Sequence, residues 1–253
     1  MTDSATPFLE TRGISRNFRS VTALQGVSLS VELGEVLAVV GSNGAGKSTL
    51  MKILAGADQP STGSILIEGT PLRMRGPVDA RRAGIETLYQ DLSLIETLDA
   101  AGNIFLGRER GLQWTLGALL DTNEMQNQAR SLLVELNPTV PLDRPVSSMS
   151  GGQRQAISLA RSIQFEAKLV ILDEPTAALG VAETALTLEA IRRFKAGERC
   201  VILVSHDLVD VFDVADRILV LRAGEVVGSR KASETTSEEI IHMMTVGAGR
   251  KNP

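Results

Sequence analysis

The chain has 253 residues, 26 lysines and arginines against 30 aspartates and glutamates, and a formal net charge of −4. That length holds one large or two small domains around a sizeable core, and the acidic balance offers no basic face for nucleic acid. No run of eighteen apolar residues could span a membrane, Met1–Pro7 lacks the regions of a signal peptide, and the single cysteine, Cys200, reads as a small buried hydrophobe in a reducing compartment.

Residues 8–33 alternate weakly, through Leu9, Ile14 and Phe18 to Val21–Leu24 and Val27–Val31, which predicts short antiparallel strands. Glu35–Val40 is a short β-prone apolar run, the pattern of a buried strand. Directly after it comes Gly41-Ser42-Asn43-Gly44-Ala45-Gly46-Lys47-Ser48-Thr49, which fits G-x-x-x-x-G-K-[ST], the phosphate-binding P-loop. Leu50–Ala55 then reads as helix, closed by Gly56. Strand, glycine loop and helix are the context the motif requires. The glycines let backbone N–H groups crowd round phosphate oxygens, and the helix start adds unpaired donors and a positive dipole end. Lys47 reaches the β- and γ-phosphates, and the Ser48 hydroxyl is a Mg²⁺ ligand.

Further along, residues 63–70 predict a strand ending in a turn. Pro77 opens a short helix that Gly84 closes, and Ile85–Gln90 reads as strand. Residues 91–121 are irregular. Asp121 with Glu124 forms a capping pair for a helix carrying Met125, Ala129, Leu132, Leu133 and Leu136 at helical spacing. Pro138, Pro141 and Pro145 mark a loop. From Ser150 a glycine pair opens a helix to about Ala167. Lys168–Asp173 is a buried strand with a carboxylate at its end, and a helix follows near 181–196. Val201–Ser205 and Arg217–Leu221 are two more apolar strands, and Thr236 with Glu239 caps a last helix through Met244. Strands alternating with helices predict a parallel α/β sheet. The stretch near 92–160 has no strand signal and is expected to be a helical insertion within one domain of residues 1–253.

Two further constellations carry chemistry. In a P-loop protein, a strand ending in aspartate holds the Mg²⁺ shell, so Asp173 takes that role and Glu174 can polarise a water in line with the γ-phosphate. Ser150-Gly151-Gly152-Gln153 puts a hydroxyl and two glycines at a helix start. That arrangement suits a second anion site or an ordinary N-cap, and the local residues leave both open.

Taken together, Gly41–Ser48, Gln90, Ser150–Gln153, Leu169–Thr176 and His206 stand in the order found in ATP-binding cassette proteins. Over nearly its whole length the chain resembles the nucleotide-binding subunit of such a transporter. The resemblance implies a P-loop core with a RecA-like parallel sheet, an antiparallel β subdomain and the helical insertion. It also implies that Phe18 stacks on adenine, that Gln90 reaches Mg²⁺ and the attacking water, and that His206 contacts the γ-phosphate. Mg²⁺ would be held by Ser48, Gln90 and Asp173. Residues Gly41, Ser42, Asn43, Gly44, Ala45, Gly46, Lys47, Ser48 and Thr49 of one copy would share ATP with Ser150, Gly151, Gly152 and Gln153 of a second. His242 reads as structural.

Residues 83–90, 103–109, 175–181 and 238–245 are similar to cassettes of monosaccharide importers, those for pentoses and fructose in particular. Gly180 departs from the general pattern, in which aspartate follows Ala-Ala-Leu. The implied partners are a second copy, membrane permease subunits and, indirectly, an extracytoplasmic sugar-binding protein, with no nucleic acid. The chain would then sit peripherally at the cytoplasmic face of the inner membrane. An importer of another solute, or a non-transport ATPase of the same superfamily, remains an alternative at this point.

Overall fold

The computed structural model describes residues 6–88, 94–111, 119–164, 167–177, 179–197 and 199–247. The chain divides into two compact units. One holds Met1–Thr87, Lys168–Glu174 and Ile191–Pro253; the other holds Leu88–Ala167 and Pro175–Ala190.

In the first unit, β1 (Leu9–Phe18) and β2 (Val21–Val31) form a long antiparallel hairpin in which Leu9 faces Val31 and Phe18 faces Val21. These are two extended strands rather than several short ones; the breaks in alternation are register shifts along β1, where bulges bend a strand without ending it. β4 (Thr62–Ile67) adds to β1 and is paired in turn by β5 (Thr70–Leu72), giving a four-stranded sheet in the order β2-β1-β4-β5.

A second sheet of six strands has the order β10-β9-β3-β8-β7-β6, built from β3 (Val36–Val40), β6 (Ile85–Leu88), β7 (Leu169–Asp173), β8 (Cys200–Val204), β9 (Arg217–Arg222) and β10 (Glu225–Lys231). β9, β3, β8 and β7 run parallel. Every residue of β3 and β8 is buried, which is why these strands read as unbroken apolar runs: both faces of the sheet are covered. On one face Leu37, Val39, Ile171 and Ile202 join α1 (Lys47–Leu54) and the first sheet in one core. On the other, Ala38, Val40, Ile218 and Val220 pack on Val211 of α7 (Leu208–Val214) and on Ile240 and Met243 of α8 (Ser237–Thr245). Each of these valines, leucines, isoleucines and the methionine gains about 1.5–3 kcal/mol on full burial. β10 and α7 are absent from the sequence reading. Glu225–Lys231 is half exposed at the sheet edge and lacks an apolar run, and α7 is only seven residues long.

The second unit contains α3 (Ala100–Ile104), α4 (Thr122–Leu136), α5 (Gly151–Gln164) and the first part of α6 (Val181–Ala196). Between Ala100 and Gln164 the described residues form helices and turns with one isolated bridge, Gly111 to Leu120. Asp121 caps α4 by accepting from the Glu124 amide, and Met125, Ala129, Leu133 and Leu136 form its buried stripe. α2 (Pro77–Arg82), in the first unit, starts on proline as expected. No helix among the described residues is long and apolar enough to cross a membrane.

Candidate active site

β3, β8 and β7 are neighbours and run parallel. Their C-terminal ends therefore open on one edge of the sheet, where α/β proteins place ligands. The P-loop leaves β3 at Gly41, which lies against β9: a Cβ there would stand 2.2 Å from the Leu221 carbonyl oxygen. Gly46 has φ 103°, and a Cβ on it would meet the Ala23 carbonyl oxygen at 2.7 Å. Both positions need glycine for room, and Gly46 for its backbone conformation too. Gly46 stands at the start of α1, and no side chain caps the helix there, so its first amides remain for a ligand. Ser48 is exposed on that first turn. The Lys47 ammonium is buried within the loop, where Nζ donates to the Gly41 carbonyl at 2.6 Å and the Ser42 carbonyl at 3.1 Å.

Asp173 closes β7, and Glu174 follows with φ 51°. A non-glycine residue in this left-handed region costs about 1 kcal/mol. The Glu174 amide donates to the Val204 carbonyl at 2.9 Å, which holds the turn against β8. Its Oε1 lies 3.4 Å from His206 Nδ1. His206 is placed by the turn after β8, in which Ser205 Oγ accepts from the Asp207 amide and Asp207 caps α7. Burial pulls the Lys47 amine below its ordinary pKa, against the pull of Glu174 and Asp173. Burial also raises the Asp173 carboxyl, helped by Glu174 and opposed by Lys47 and Lys52.

Phe18 ends β1 at the hairpin tip and is 45% exposed. In the second unit Ser150 and Gln153 cap α5 reciprocally: the Gln153 amide donates to Ser150 Oγ at 3.3 Å, and the Ser150 amide to Gln153 Oε1 at 3.0 Å. This is the capping-box pattern. Ser150 and Gly151 are exposed and Gly152 is buried. Gln90 lies outside the described residues. Cys200 is fully buried with its thiol pushed up to about 12, so it is an unreactive packing residue. His242 is exposed on the last turn of α8.

A tight glycine loop, a lysine aimed into it and an uncapped helix start suit a polyphosphate. A divalent cation beside it would have the exposed Ser48 hydroxyl and the Asp173 carboxylate at the end of β7 to draw on. No group of three or more His, Cys, Asp or Glu converges among the described residues. Such a cation would therefore take Ser48 and Asp173 oxygens plus phosphate and water, the ligand set magnesium accepts.

Residues 24–177 match the ABC transporter family. The chain belongs to that family. This ABC transporter chain is 43% identical over 238 residues to the xylose/arabinose import ATP-binding protein XylG of Sulfolobus acidocaldarius, covering 94% of this chain and 93% of that one. It is 42% identical over 252 residues to the fructose import ATP-binding protein FrcA of Rhizobium meliloti, covering 98% and 96%. The ribose import ATP-binding protein RbsA of Yersinia pestis is 40% identical over 238 residues, 94% of this chain and 46% of that longer one. A nucleotide-free ATP-binding cassette from an ABC transporter superposes with a TM-score of 0.80 over 94% of this chain and 95% of that one, at 24% identity. A dimeric cassette in a post-hydrolysis state with ADP and Pi gives a TM-score of 0.75 at 22% identity, over 88% of this chain and 98% of that one. These two likenesses establish the fold, an α/β cassette with one largely parallel and one antiparallel sheet.

Proposed function

We propose that this chain is the ATP-hydrolysing subunit of an ABC importer and couples ATP hydrolysis to uptake of a small sugar through a separate permease. The two relatives nearly coextensive with it are named for import of xylose or arabinose and of fructose, which supports that substrate class. The observation that carries the ATPase reading is the meeting of the P-loop, Asp173-Glu174 and His206 at the ends of three adjacent parallel strands, with Glu174 Oε1 3.4 Å from His206 Nδ1.

In this reading Lys47 exchanges the Gly41 and Ser42 carbonyls for β- and γ-phosphate oxygens, and the amides after Gly46 hold the same phosphates. Ser48, Asp173 and Gln90 would hold Mg²⁺, which would neutralise charge on the phosphates. Glu174 polarises the water that attacks the γ-phosphorus; the bridging oxygen leaves with ADP and its electron pair. His206 steadies Glu174 and the γ-phosphate. Phe18 stacks on adenine. Ser150–Gln153 of a second copy closes the site from the other side, so two ATP molecules join two copies, and hydrolysis releases them. The dimer sits peripherally on the cytoplasmic face of the membrane through its permease, which receives sugar from an extracytoplasmic binding protein.

Mg·ATP binding and phosphate release test the site. Lys47→Ala loses both, because the charge at the phosphates is gone. Glu174→Gln keeps binding but slows hydrolysis about 100-fold or more, and accumulates as an ATP-bound dimer in size exclusion. Normal turnover in Glu174→Gln would remove it from the catalytic role. For the sugar, vesicles carrying the co-purified permease should take up a labelled pentose or fructose only with this chain and ATP inside. Uptake that ignores the chain overturns the import reading.

A further inference from the structure

The P-loop and its acids account for the phosphate end of the nucleotide. The hairpin tip carries a second device. Arg16 and Phe18 are two residues apart on β1 across a register shift, and the Arg16 guanidinium carbon lies over the Phe18 ring, 4.5 Å from its centre. The guanidinium does not hang free. Its Nε donates to Asp58 Oδ2 at 3.0 Å and a terminal nitrogen to Asp58 Oδ1 at 2.7 Å, a two-point fork with both side chains more than three-quarters buried. Such forks are rigid as well as strong.

Asp58 is itself fixed to the P-loop helix: its amide donates to the Lys52 carbonyl at 3.1 Å, just past the end of α1. Two more bonds tie the tip to the same turn, from the Ser61 amide to the Ser15 carbonyl at 2.7 Å and from the Asn17 amide to Ser61 Oγ at 3.1 Å. The order is therefore P-loop helix, Asp58, Arg16, Phe18. With one ring face under the guanidinium, stacking is left to the other.

We infer that Arg16, held by Asp58, is a positioning residue for the nucleotide base: it fixes the plane and the free face of Phe18 relative to the helix that carries the phosphate cradle. The inference rests on Phe18 being the adenine platform. An unbraced phenylalanine at an exposed hairpin tip samples several rotamers and must be ordered when the base arrives. A braced one is ordered in advance, and the cation adds attraction to the ring.

The test compares two probes on the full chain by calorimetry: Mg·ATP, and Mg·tripolyphosphate, which has no base. Arg16→Ala should weaken Mg·ATP about fivefold and leave Mg·tripolyphosphate unchanged. Phe18→Ala should weaken Mg·ATP at least as much, and adding Arg16→Ala to it should cost nothing further, because Arg16 acts through the ring. Asp58→Asn, which leaves Arg16 in place but weakens the fork, should give a smaller loss, about twofold, in Mg·ATP alone. It also serves if Arg16→Ala folds poorly. Unchanged ATP affinity in both Arg16→Ala and Asp58→Asn, with Phe18→Ala impaired, overturns the inference and leaves the base reading standing. Equal losses for both probes overturn it too, since Arg16 would then only hold up the fold. Phe18→Ala binding ATP normally overturns the base reading and the inference with it.

Discussion

At Asp173 the proposed site works against stability. Burial raises its carboxyl above the ordinary value of 3.8 despite Lys47 and Lys52 nearby. Well below that value the group is protonated in both the folded and unfolded states and costs nothing. As pH rises from 3.8 towards the raised folded value the unfolded chain ionises first, so stability falls, and above the folded value the loss is complete because the folded chain then holds a poorly hydrated charge. Asp173→Asn should therefore melt higher than wild type near pH 7, by about 2 °C, while losing ATP hydrolysis. The gap should shrink as pH falls from the raised folded value and vanish only well below 3.8. Thermal melts of both proteins across that range would refute the assignment if the gap stayed constant or reversed. Glu174 beside it holds a left-handed φ of 51°. That strain points its carboxylate at His206 instead of letting the strand continue.

At the scale of elements, the start of α5 is shaped by α6. A Cβ on Gly152 would lie 2.0 Å from Glu183 Cγ and 2.9 Å from its Cβ, and a Cβ on Gly180 would lie 2.7 Å from Glu183 Oε2. Gly152 is thus required by helix packing, whatever its amide does for a phosphate. Gly152→Ala should destabilise the chain by about 2 kcal/mol, read by chemical denaturation. Glu183→Ala in the same chain removes the Cγ clash but not the Cβ one, so it should restore part of the loss. Restoring all or none would show that the close approach is not what sets the cost. Glycines at a helix start suit a ligand contact, but at Gly152 the packing against Glu183 alone demands one.

For the molecule as a whole, the proposal places each ATP between two copies. A chain with Lys47→Ala and a chain with Ser150→Arg each spoil both sites of their own homodimers. In a mixed dimer both defects fall on one composite site and leave the other intact. Random mixing makes half the dimers mixed, so recovered ATPase should reach roughly a quarter of wild type when sites act independently. ATP-dependent pairing of the two mutant chains, scored by size exclusion, covers the case in which sites act only together. If neither turnover nor pairing returns on mixing, each copy works alone.

Much of this protein is settled by local sequence. The P-loop, the buried strands β3, β7 and β8 and the capped helices α4 and α8 follow from glycine spacing, unbroken apolar runs and capping pairs, which act over a few residues. The edge strand β10 and the short helix α7 do not, because each is stable only against β9 or the sheet face it covers. The strand order that sets β3 beside β8 and β9, far along the chain, is likewise a tertiary outcome. Residue types at positions 47, 173, 174 and 206 could be read as a site from their motifs, but not that Glu174 is strained or that Lys47 is buried between carbonyls. Nor could Arg16 be read as a brace: its partner Asp58 lies 42 positions away, and only the packing of the hairpin on the turn after α1 brings the two together.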